Sequence, residues 1–186
     1  MKPAARKYSK FLLWLAIILL VIAGFWLHGR LGYKNTIPAD IQSELRFKAA
    51  YPQPAIVDSA SYDYQSGSGI LSYGLNFVGT KLTVNEQQPP PSVTADPQGY
   101  LKALGIKPTA QFNSPIGPVA ITAVYSDEHP VVNGGVGPQP VKSEPIGQSA
   151  ISLTSKGTLL IIRPTANQTL TVDQWKSLFS KLKNSP

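Results

Sequence analysis

Two histidines, His28 and His129, are all the imidazole this 186-residue chain offers, and it has no cysteine. Thiol nucleophiles, thiolate metal sites and disulfides are therefore excluded by composition. The densest cluster of chemically competent side chains is Asp127-Glu128-His129. Neighbouring loop residues rarely converge on one ion without ligands from elsewhere, so an exposed polar turn outweighs a metal or acid–base site there. Ser68 lies in Gly67-Ser68-Gly69, but neither a Gly-x-Ser-x-Gly elbow nor a Ser-x-x-Lys setting surrounds it. Ten acidic residues leave paired-carboxylate chemistry open, although no spacing favours it. Phosphate-binding and dinucleotide fingerprints do not occur, so no catalytic, cofactor or metal residue is assigned and none of these groups is expected.

The residues that could do chemistry sit behind an apolar run, FLLWLAIILLVIAGFWL at 11–27, whose seventeen residues carry no charge. As a helix it measures about 26 Å, at the short end of what a hydrocarbon core of about 30 Å demands. Lys2, Arg6, Lys7 and Lys10 precede it. By the positive-inside rule they set the topology, with the amino end cytoplasmic. Phe11, Trp14, Leu20, Trp26 and Leu27 belong to the expected anchor, with Tyr8, Trp14, Trp26 and His28 placed for the interfaces. A cleaved signal ending at Val21-Ile22-Ala23 is the alternative, but the run continues through Phe25-Trp26-Leu27. The expected organisation is a basic head at 1–10, a transmembrane anchor at 11–28, a stalk at 29–36 and an extracytoplasmic domain at 37–186. The net charge of +7 then splits into four positive charges in the head and 13 basic against 10 acidic residues beyond it. That near-balance leaves no basic stripe for nucleic acid.

The fold class expected for 37–186 is α+β: an antiparallel sheet of meanders and hairpins, short helices, and a C-terminal amphipathic helix packed on the sheet. Asp40 with Ile41, Leu45 and Lys48 at helical spacing predicts a short helix, stopped by Pro52 and Pro54. Strands are expected at 55–64, 70–78 and 81–87, with Leu71, Tyr73, Leu75 and Phe77 on one core-facing side. Pro97 to Leu104, with Gly105 beyond, reads as a short helix. Further strands are expected at 119–125, 150–154 and 158–163, the last two forming a hairpin and Leu159 to Ile162 marking a central strand. At the carboxyl end, Thr171 to Gln174 has capping-box spacing and Leu170 can staple against Trp175. Val172, Trp175, Leu178, Phe179 and Leu182 are expected on the buried side of that helix. Pro89, Pro90 and Pro91, and Asn133, Gly134 and Gly135 in the Gly/Pro-rich stretch to Pro140, are the candidate interaction loops.

The ending IGQSAISLTSKGTLLIIRPTANQTLTVDQWKSLFSKLK, with Thr171, Trp175 and Leu178 in a T-x-x-x-W-x-x-L pattern, resembles the close of small single-anchor envelope proteins of candidate-phylum bacteria. Ile37 to Pro54 and the strand leading to NEQQPPP are similar to the same group. The resemblance implies an extracytoplasmic α+β domain and a structural motif without an active site. Three functions compete: protein interaction or sensing in the envelope with an envelope protein partner and the lipid bilayer; carriage of a lipid or hydrophobic ligand; and an envelope hydrolase.

Overall fold

The computed structural model describes residues 18–19, 35–90, 97–125, 145–165 and 167–184. The chain separates into two units, Met1–Lys34 and Asn35–Pro186. In the second unit the order is α1 (Ala39–Glu44), β1 (Ala50–Pro52), β2 (Val57–Gln65), β3 (Ile70–Phe77), β4 (Thr80–Gln87), α2 (Pro97–Ala103), β5 (Ala110–Ser114), β6 (Gly117–Tyr125), β7 (Pro145–Leu153), β8 (Leu159–Pro164), α3 (Val172–Phe179) and β9 (Leu182–Asn184).

Period-two alternation builds the sheet. Leu71, Tyr73, Leu75 and Phe77 are buried on β3, as are Leu82, Val84 and Glu86 on β4. The two strands pair antiparallel through the two-residue turn Val78-Gly79, with Phe77 opposite Thr80. Val78 takes φ 50 there, a strained conformation for a β-branched residue. Seven strands join in the order β2-β3-β4-β8-β7-β6-β5, every neighbouring pair antiparallel. Between β7 and β8, Thr154 N–H donates to Thr158 O at 2.8 Å and closes the hairpin. Gly117 opens β6 where a Cβ would lie 2.6 Å from the Leu153 carbonyl oxygen, so only glycine fits without displacing backbone.

The register sorts side chains onto two faces. Tyr73 opposite Val84, Val84 opposite Ile162, Ile162 opposite Ala150 and Ala150 opposite Ile121 run across one face. Helix α3 covers that face: Phe179 meets Phe112 edge-on at 5.8 Å, and the Trp175 indole N–H donates to Gln148 Oε1 at 3.1 Å. Thr171 accepts from Gln174 N–H, and the Gln174 side chain accepts from Thr171 N–H, completing the capping box. On the opposite face, Leu101 of α2 packs with Ala120, Ile151, Leu153 and Leu159. Gly105, at φ 71, terminates α2.

Several expectations are corrected. The described domain is dominated by one long antiparallel sheet rather than an α+β arrangement behind a transmembrane helix. Among the described residues, no helix is long and apolar enough to cross a membrane, so the single-pass, signal-anchor and cell-membrane assignment is not supported. Phe11, Trp14, Leu20, Trp26 and Leu27, and the head residues Lys2, Arg6, Lys7 and Lys10, lie outside the described residues. The chain does not close on its helix: α3 stops at Phe179, and Leu182 and Lys183 belong to β9, which pairs antiparallel with β1. Val172 is 40 % exposed rather than buried, because as the first helical residue it points away from the sheet. Helix α1 ends at Glu44 and buries none of its residues, so Lys48 lies beyond it. Pro52 ends a strand rather than a helix. The three strands not foreseen, β1, β5 and β9, span three to five residues, too few for alternation to announce them.

Candidate functional site: an open cleft and a sealed carboxyl

The segment following α2 forms the rim of a cleft. Leu104, Gly105, Ile106, Lys107 and Thr109 stand over Thr122 and Val124 of β6, Ser149 and Ile151 of β7, and Ile161 and Arg163 of β8. The cleft encloses about 510 Å³, within the roughly 300–1,000 Å³ of small-molecule sites. It exists because α2 is only seven residues long and covers only part of this sheet face. Leu104 and Tyr125 remain 54 % and 52 % exposed at its rim, with Ile106 beside them. Arg163 Nε donates to Ser149 Oγ at 3.3 Å, which turns the guanidinium along the sheet surface. Among the described residues no aspartate or glutamate lines the cleft, and neither Arg163 nor Lys107 forms an ion pair.

A second centre lies within the other face. Glu86 is completely buried on β4. Ala50 N–H donates to its Oε2 at 2.7 Å, and Tyr73 Oη–H donates to Oε1 at 2.7 Å. Burial pushes the Glu86 carboxyl up to about 8, against the opposing pull of the donors Tyr73 and Ala50. The Tyr73 hydroxyl is held well above its ordinary value, by burial first and then by Glu86. Tyr62 stacks on Tyr73 with ring centroids 4.9 Å apart, reaching it from β2 beside the irregular register between Asp58 and Asp63. Its hydroxyl lies 2.6 Å from Thr36 Oγ1, and burial pushes it up to about 12. Nearby, Thr158 Oγ–H donates to Lys48 O at 2.7 Å, so Glu86 and Thr158 together fasten the segment leading into β1 onto the sheet.

The residues singled out from sequence scatter. Pro89 and Pro90 follow β4, whereas Pro91, Asn133, Gly134, Gly135 and the Asp127-Glu128-His129 cluster lie outside the described residues. Ser68 donates back to Gln65 O at 3.3 Å and to Gln65 Oε1 at 3.2 Å, which commits its hydroxyl to the turn. Thr171, Trp175, Leu178, Phe179 and Leu182 serve the core and its cap. Among the described residues no three His, Asp or Glu side chains gather as a metal set would require. Sequence reasoning missed Glu86, although it continues the buried alternation Leu82, Val84 and so stood where an apolar residue belongs. It also missed that Lys107 and Arg163, 56 residues apart in the chain, line one cleft, a placement that carries no local signature. Comparisons with protein-family models, curated proteins and solved structures return no match for this chain. The likeness to single-anchor envelope proteins therefore rests on its sequence motifs alone.

Proposed function

We propose that residues 35–186 form a binding module that holds an apolar ligand in the cleft between the α2 exit and strands β6 to β8. The observation that carries this reading is the cleft itself, where Leu104, Ile106, Val124, Ile151 and Ile161 present apolar surface around a few polar groups. Binding is favoured over catalysis because, among the described residues, the carboxyl whose proton affinity is most altered, Glu86, is sealed from solvent and cannot reach a substrate. Partner docking along the sheet edge has weaker support. The outer strand β2 spans nine residues, but its register with β3 breaks between Asp58 and Asp63, and such irregularity disfavours addition of a further strand.

Titrating the full chain with the neutral dye N-phenyl-1-naphthylamine tests the reading. Saturable fluorescence enhancement is expected, weakened by Ile106→Asp, which sets a charge at the rim without disturbing the sheet. Equal enhancement by both proteins would put the dye elsewhere and remove the support for the cleft.

A further inference from the structure

Resting on the cleft as a binding site, the geometry points to a narrower ligand class: we infer that the cleft takes an amphipathic carboxylate, its apolar body on the sheet and its anionic end on Arg163. Three observations converge. The guanidinium of Arg163 is oriented through one nitrogen, Nε, by the buried Ser149 hydroxyl at 3.3 Å. Its two terminal nitrogens make no bond to any described residue, so the forked edge that suits a carboxylate is available. Lys107 lines the same cleft from the α2 exit, which adds positive potential, with no acid among the described lining residues.

Charge and apolar surface also divide the cleft in a way that matches one molecule rather than two. Arg163 occupies the β8 side, while Ile106 and Tyr125 sit on the segments flanking the opening. A free inorganic anion would leave that apolar surface wet, and a neutral hydrocarbon would leave both cations unanswered. A ligand with one carboxylate and a flexible apolar body satisfies both demands. A dianionic head is less well matched, because Lys107 is a mobile point charge and only Arg163 is held in place by a neighbour.

Calorimetric titration of the full chain with decanoate and with 1-decanol at neutral pH separates this inference from the reading beneath it. Decanoate is expected to bind about tenfold or more tightly than decanol, the range a charge-assisted hydrogen bond supplies. Arg163→Gln should erase that difference while leaving decanol affinity unchanged, and Lys107→Gln should reduce it less. Equal binding of the two ligands, or decanoate binding indifferent to Arg163→Gln, would overturn the carboxylate assignment and leave the apolar cleft standing. Failure of both ligands to bind would overturn both. Arg163 is exposed, and unchanged thermal unfolding of Arg163→Gln would confirm that any lost affinity is not lost structure.

Discussion

Glu86 and Arg163 belong to adjacent strands, β4 and β8, yet face opposite sides of one sheet and live in opposite worlds. Glu86 shares its face with Tyr73, Val84 and Ile162, where Ala50 of β1 and Tyr73 donate to it, and it is completely buried. Arg163 shares its face with Ser149 and Ile151, beside a helix too short to cover them. The sheet supplies the same scaffold to both. What differs is the covering, and the covering decides whether a charged side chain becomes a neutral structural fastener or an accessible binding group.

The strongest way to break that contrast is to remove the cover. Trp175 is fully buried on α3, so Trp175→Ala should lower unfolding free energy by about 3–5 kcal/mol, read by chemical denaturation. A loss under about 1 kcal/mol would mean that α3 is not packed on the sheet as a cover.

The next test uses pH. Glu86 is raised from its ordinary 4.5 to about 8 in the folded protein, so folding favours its protonated form. Its contribution to stability is fully present below about 4.5 and is lost as pH rises through about 8. Stability should therefore decline across that window by an amount on the order of a few kcal/mol, and Glu86→Gln should flatten the decline. In the variant the amide oxygen can accept from Ala50 N–H while its NH₂ donates to the Tyr73 hydroxyl oxygen. Parallel pH profiles for the two proteins would show that Glu86 is not neutral inside the fold.

Tyr73→Phe is a smaller perturbation of the same centre. It deletes the donor to Glu86 Oε1 and should destabilise by about 1–3 kcal/mol, with the larger loss at alkaline pH where the carboxylate needs that donor most. Equal losses at pH 5 and pH 9 would argue against a hydrogen bond to the ionised form. On the open face, Arg163→Gln should shift stability by no more than about 0.5 kcal/mol, as expected for an exposed side chain outside the core. A large loss there would make Arg163 a structural residue and dissolve the contrast between the faces.

Much of the local structure was legible from residue order. The β3–β4 alternation, the β7–β8 hairpin around Ser155-Lys156-Gly157, the start of α2 at Pro97 and the Thr171 cap each depend on neighbours within a few residues. The short strands were not legible, because β1 and β9 are strands only through each other: Ala50 pairs with Asn184 and Pro52 with Leu182 across almost the whole domain. The apolar run at 11–27 falls almost wholly outside the described residues, which hold no helix long and apolar enough to cross a membrane and so give the single-pass reading no support.

By itself, the sequence determined which residues alternate, which cap and turn, and that no thiol chemistry is possible, since each follows from side-chain type and short-range spacing. Only the tertiary structure decided that Glu86 is sealed and Arg163 is open. Alternation says which residues share a face but not what lies above it, and the pKa of a carboxyl or the reach of a guanidinium depends on that covering layer, assembled from segments distant in the chain.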